Sequence, residues 1–265
     1  MESREILLYY AIKFKGDWDK IYDVISNQHE FNETEAKEYV EKNESKYITF
    51  TDPEYPESLR RSYKPPFVLF YHGDISLISD EKEKIAVVGS RKFSQYGKEM
   101  TEKLVKGICN DFVIVSGLAI GIDAIAHRTA IESGGKTIAV LGNGINFHYL
   151  KENADIYEEC KKNHLIISEY PDMTAPCAEN FPIRNRIIAG LCNSLLVTEG
   201  KMKSGSQITA FLMVKKSGDV LCVPARAGED SLCNHLIKEG AYLVETPEDI
   251  YESVGYTRRR AVFEK

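Results

Sequence analysis

The stretch NFPIRNRIIAG, residues 180–190, sets Arg184, Asn185 and Arg186 side by side just ahead of an apolar run. A core helix gains nothing from these three together. Two planar guanidinium forks are suited to gripping phosphate bidentately. The competing account is an internal ion pair with Glu169 or Glu199. Related chemistry recurs after other apolar runs. Ser90 and Arg91, then Ser94, follow KIAVVG; Ser116 and Gly117, with Gly121 beyond, follow FVIV. Asn143 stands between two glycines after TIAVL, and Lys201, Lys203, Ser204, Gly205 and Ser206 follow LLVTEG. Glycine lets a backbone approach a ligand closely, and free N–H groups at helix starts favour an anion. Tight turns explain any one of these glycines, but explain four basic or hydroxylated loops less well.

Other chemistries lack their residues. AIESGGKT (130–137) nearly matches a phosphate-binding Walker loop, but Ala130 replaces the first glycine and the segment precedes an apolar run instead of following one. GNGINF (142–147) has Phe147 where a dinucleotide fingerprint needs its third glycine. There is no nucleophile elbow and no paired-carboxylate arrangement, so no catalytic residue is assigned. The six cysteines have no C-x-x-C spacing and mostly lie in apolar runs, as expected of buried reduced thiols. His127 follows Asp123 by four residues, but no ligand set forms around it. No metal and no cofactor is expected.

The elements that must position these residues show in the hydrophobic pattern. From Lys84 onward, short β-branched runs at 84–89, 112–117, 136–142, 164–169, 194–200 and 219–224 alternate with helical segments. Continuous apolar strands alternating with helices predict an α/β fold: a doubly wound, extended Rossmann-like, mostly parallel sheet. Ligands of such sheets bind beyond the carboxyl ends of the strands, which is where the loops above fall. Residues 180–190 would place Arg184–Arg186 near a helix start, where positive charge is a local cost unless an anion compensates. The first 46 residues read as a small acidic helical domain of three helices, with Asp17 and Asn32 as N-caps. Residues 47–83 read as a Pro-rich connector with one leading strand, 84–250 as the α/β domain and 251–265 as a tail with a solvated Arg258–Arg260 run.

The net charge of −6 is uneven. Residues 1–80 hold 10 Lys+Arg against 16 Asp+Glu, whereas residues 181–220 hold six basic residues against Glu199 and Asp219. An acidic chain can therefore carry a local basic surface. No apolar run approaches the ~18 residues needed to span a bilayer, and the N-terminus has no secretory pattern. A cytoplasmic protein without membrane contact is expected.

Taken in order, GSRKFSQYG, IVSGLAIGIDAIAH, TIAVLGNGI, SEY, FPIRNRIIAG, VTEG, SGSQITA, VPA and LIKEGA resemble the DprA/Smf family. YITFTDPEYPESLR and PPFVLFYHGD extend the resemblance upstream, to roughly residues 47–245. The acidic helices are similar in position to that family's sterile-alpha-motif-like domain. The resemblance implies a non-enzymatic, sequence-independent binder of single-stranded DNA. It implies protection of incoming DNA, loading of the RecA recombinase during natural transformation, and a homodimer. Carried over by position, it implicates Arg91, Ser116, Gly117, Arg184, Arg186 and Lys203–Ser206. Leu150, Gly200 and the 225–235 loop depart from the family pattern, and a form without the C-terminal winged-helix domain is expected.

Two alternatives compete. Phosphoribohydrolases of the cytokinin-activating type resemble this fold, but they carry P-G-G-x-G-T-x-x-E, where KSGSQITAF has no glutamate after Thr209. A nucleotide-sensing module would use the same glycine-rich loops. Phe93, Tyr96, Phe147 and Tyr149, just after strand ends, are candidates for base stacking.

Overall fold

The computed structural model describes residues 1–27, 32–147 and 151–255. Tyr149, Leu150 and the Arg258–Arg260 run lie outside the described residues. Three helices open the chain: α1 (Ser3–Lys13), α2 (Trp18–Ser26) and α3 (Glu33–Glu41). Asp17 caps α2 by accepting from the Lys20 N–H, and Asn32 caps α3 through the Glu35 N–H. Next come β1 (Lys46–Thr49), the single turn α4 (Glu57–Arg60) and β2 (Val68–Gly73). The alternating part follows as β3 (Lys84–Val88), α5 (Gln95–Ile108), β4 (Val113–Ser116), α6 (Ile122–Glu132), β5 (Thr137–Val140), α7 (Ala154–Asn163), β6 (Leu165–Ser168) and α8 (Asn180–Leu191). It closes with β7 (Ser194–Val197), α9 (Gly205–Lys215), β8 (Asp219–Cys222), α10 (Leu232–Lys238), β9 (Tyr242–Leu243) and α11 (Pro247–Ser253).

The nine strands among the described residues join one sheet in the order β1-β2-β6-β5-β4-β3-β7-β8-β9. Strands β3 to β9 pair in parallel, while β2 is antiparallel to both β6 and β1. The six β-branched runs are all strands of this sheet, as the sequence predicts. Their residues are buried along nearly every position because helices cover both faces. On one face Ala86, Val88, Val115 and Leu195 pack with Leu59 of α4, Ile187 of α8 and Met213 of α9. On the other, Ile85, Val87 and Ile114 pack with Leu104 of α5 and Ala126 of α6, while Phe70, Ala139 and Ile166 meet Leu8 of α1 and Tyr157 of α7. The first helix thus shares a core with β2, β5 and β6. The chain builds outward from β3 to β6, then returns to lay β7 on the other side of β3. That reversal opens a crevice beyond the carboxyl ends of β3 and β7. Among the described residues, no helix is long and apolar enough to cross a membrane.

Candidate functional site

The crevice is a groove of about 770 Å³. The β3 end contributes Gly89–Lys92, the start of α6 contributes Asp123, α8 contributes Phe181, Arg184 and Asn185, and the approach to α9 contributes Lys201 and Lys203–Ser206. Five cations (Arg91, Lys92, Arg184, Lys201, Lys203) therefore face one carboxylate, that of Asp123. A side cavity of about 110 Å³ opens beside it, walled by Leu118, Phe147 and Phe181 and reached by Gly117 and Asn143. Arg91, Phe181 and Arg184 line both spaces. The exposed Arg91 guanidinium lies 5.7 Å from the centre of the Phe181 ring.

Arg184 is the deepest of the cations, with 4% of its surface exposed. Its Nη1 donates to the Gly117 carbonyl at 2.7 Å and to the Val140 carbonyl, and its Nε donates to Asn185 Oδ1 at 3.2 Å. Its Nη2 has no acceptor among the described residues. Burial pushes the Arg184 pKa down to about 10, opposed by the Asp123 carboxylate; it is cationic at neutral pH. Asp123 is pushed up by burial and held back by Arg184, and its Oδ2 accepts from the Gly117 N–H at 3.1 Å. Position 117 must be glycine for this packing: a Cβ there would lie 2.5 Å from Arg184 Nη2 and 2.8 Å from Asp123 Oδ2. Two loops here hold non-glycine residues in the left-handed region, Leu118 at φ 55° and Lys203 at φ 58°. Such strain persists only where the surroundings impose it, and it clusters at functional sites. Ser204 Oγ, at the N-terminus of α9, is a buried polar atom without a hydrogen-bond partner among the described residues, a state rare enough in folded proteins to ask for an explanation.

The neighbouring Arg186 does something different. It is also buried, but its Nη1 and Nη2 donate to Glu169 Oε1 and Oε2 at 2.7 and 2.6 Å, and its Nε donates to the Lys64 carbonyl at 2.8 Å. All three nitrogens are engaged, and the side chain lines neither space. The expectation that both arginines hold phosphate therefore divides: Arg184 faces the groove, and Arg186 is the internal pair. The reason is helix phase. The helix starts at Asn180, so residues 184–186 sit in its second turn instead of at its start, and positions two apart point to opposite sides.

The structure brings Ser90, Arg91, Arg184, Asn185, Lys201, Lys203, Ser204, Gly205 and Ser206 to the groove, and Gly117 and Asn143 to the side cavity. It leaves Ser94, Ser116 and Gly121 out of both. Ser116 is wholly buried and donates to the Val87 carbonyl at 2.6 Å. Gly121, at φ 90°, supports the loop from beneath, where a Cβ would lie 2.3 Å from the Ser90 carbonyl. Ser94 caps α5, and its N–H and Oγ both donate to Glu199. An internal carboxylate thus occupies the helix terminus where an anion was expected. Lys92 and Phe181 belong to the groove, although only the adjacency of Lys92 to Arg91 and the place of Phe181 in FPIRNRIIAG pointed to them. Of the candidate aromatics, Phe147 lines the side cavity, while Phe93 and Tyr96 are exposed outside both spaces. No group of three or more potential metal ligands occurs among the described residues.

Sheet order, crossover helices and a basic crevice at the strand reversal define a Rossmann-type α/β protein with an anion-ready cleft. Comparison with known proteins places it more closely. The chain belongs to the family described as DNA recombination-mediator protein A, whose family model matches residues 46–255. It is 43% identical over 216 residues to the DNA processing protein DprA of Streptococcus pneumoniae, covering 80% of this chain and 76% of that protein. With the Bacillus subtilis DprA it is 40% identical over 210 residues, covering 78% and 70%. The X-ray structure of S. pneumoniae DprA superposes with a TM-score of 0.78 at 35% identity, covering 96% of this chain and 93% of that one. Helicobacter pylori DprA, whose structure was described for a unique single-stranded DNA binding mode, superposes with a TM-score of 0.72 at 29% identity, covering 81% and 98%.

Proposed function

We propose that this chain binds single-stranded DNA without sequence preference, with the phosphates in the groove between β3 and β7 and a base against Phe181 at the mouth of the side cavity. The observation that carries the reading is the cluster of five cations around one buried carboxylate, with Arg184 held so that Nη2 is left for a ligand. Contacts to phosphate give affinity without reading sequence, and stacking on an aromatic ring tolerates any base. The phosphate ligands in this reading are Ser90, Arg91, Arg184, Lys201, Lys203 and the α9 N-terminus at Ser204–Ser206. Family membership, under a description that names recombination mediation, supports the rest. The chain acts without catalysis, as a cytoplasmic homodimer, protecting incoming DNA and delivering it to a RecA-type recombinase.

The test is a titration of a fluorescent ~20-mer across ~50 to ~200 mM salt. Each neutralised phosphate contributes about −0.7 to the log–log slope on a single strand. Four net positive charges give a wild-type slope of roughly −3, and the Lys201→Ala/Lys203→Ala pair should flatten it by about 1.4 units. Salt-independent binding, or saturable binding of a mononucleotide with none of the oligonucleotide, overturns the reading.

A further inference from the structure

Helix α9 presents a face that extends beyond the groove. Ile208 lines the groove rim, and Ile208, Phe211 and Val214 are 39%, 58% and 58% exposed. The Lys215 ammonium lies 4.7 Å from the Phe211 ring centre. Residues 208, 211 and 215 fall on one side of a helix and span about 10 Å of its axis. Neither α8 nor α9, which pack on each other, contains an aspartate or glutamate. The groove therefore runs, through Ile208, onto an exposed ring with a cation in contact and no carboxylate on either helix.

We propose that Phe211 and Lys215 form a second contact for single-stranded DNA, outside the groove and continuous with it. It rests on the reading that the groove holds DNA phosphates. A base leaving the groove over Ile208 stacks on the Phe211 ring. The Lys215 ammonium, held at that ring by an exposed cation–π contact of modest strength, turns to the adjoining phosphate. Only a polyanion with aromatic bases uses both halves of the pair. A protein partner fits less well, because stable protein interfaces take roughly 20–30 residues a side, whereas this face is a few residues of one helix. The effect is on length dependence: a strand long enough to leave the groove gains an anchor that a short one does not reach.

The experiment compares a ~6-mer and a ~20-mer of single-stranded DNA on wild type, Phe211→Ala and Phe211→Trp. Loss of one stacked base predicts about 5- to 150-fold weaker binding of the ~20-mer by Phe211→Ala, with the ~6-mer held within about twofold. Phe211→Trp keeps the long-strand affinity, and its added indole fluorescence is quenched by the ~20-mer but not by the ~6-mer. Position 211 is exposed, so folding is retained; circular dichroism melts check it. Suppose wild type binds both lengths and Phe211→Ala matches it on the ~20-mer. Then this face is no DNA contact, which overturns the inference while leaving the groove reading intact. Suppose instead that wild type binds neither length. Then the groove reading fails, and the inference with it.

Discussion

Replacing the members of the Glu169–Arg186 pair by apolar residues separates architecture from binding. Both side chains are 4% exposed, and their two parallel hydrogen bonds are 2.7 and 2.6 Å long. Replacing Arg186 by Met keeps the volume but leaves the Glu169 carboxylate buried without its cation. Breaking such a pair costs about 3–5 kcal/mol, because the surviving charge is uncompensated. For a chain of this size, 1 kcal/mol moves the melting temperature by about 2–4 °C, so Arg186→Met should melt about 6–20 °C lower. Removing both charges removes the penalty with them, and Glu169→Leu/Arg186→Met should recover at least half of the loss. Thermal melts followed by circular dichroism give the stability. Titration of the folded variants with a single-stranded oligonucleotide gives the affinity, expected within about threefold of wild type for the double variant. A single variant that melts like wild type yet binds DNA tenfold more weakly would refute the assignment of Arg186 to the interior.

Two further outcomes follow from buried groups. His127 is fully buried, with Nδ1 on Thr137 Oγ1 at 2.6 Å and Nε2 unpartnered among the described residues, and burial pushes its pKa from 6.5 to about 3. Its folded pKa lies below the unfolded one, so its contribution is intact above pH 6.5 and is lost as pH falls toward 3. Urea unfolding should show about 2 kcal/mol less stability at pH 5 than at pH 7 from this group; His127→Asn should lose that share of the pH dependence, and an unchanged profile counts against it. Gly117→Ala would place its Cβ 2.5 Å from Arg184 Nη2 and displace the guanidinium. It should cost about 1–3 kcal/mol in denaturant unfolding and weaken oligonucleotide binding about tenfold; wild-type affinity would show that Arg184 does not touch DNA.

Much of this was legible because the pattern is local. Each of the six inner strands is a short apolar run, and the loops that carry Ser90, Arg91, Lys201 and Lys203 lie directly after a strand, so topology alone gathers them. The division between Arg184 and Arg186 turned on where α8 begins. With the start at Asn180 both arginines lie inside regular helix, where residues two apart take opposite sides. The cap of Ser94 by Glu199 joins residues 105 apart in sequence, and no spacing rule reaches that far. Strands β1 and β2 pair antiparallel at the sheet's outer edge, and a Pro-rich stretch hides that arrangement. The exposed ring of Phe211 lies inside an apolar helical segment that reads as core until α9 is seen to pack with its opposite side.

The carboxylate of Glu199 also closes the α5 terminus to a second anion. It lies across the α5 terminus, with both oxygens on the Ser94 N–H, so a strand advancing that way meets negative charge in place of bare amides. The first turn of α9 carries no acidic residue. In the proposed complex, DNA leaving the cleft past Ile208 would present its onward length on the α9 flank of the protein.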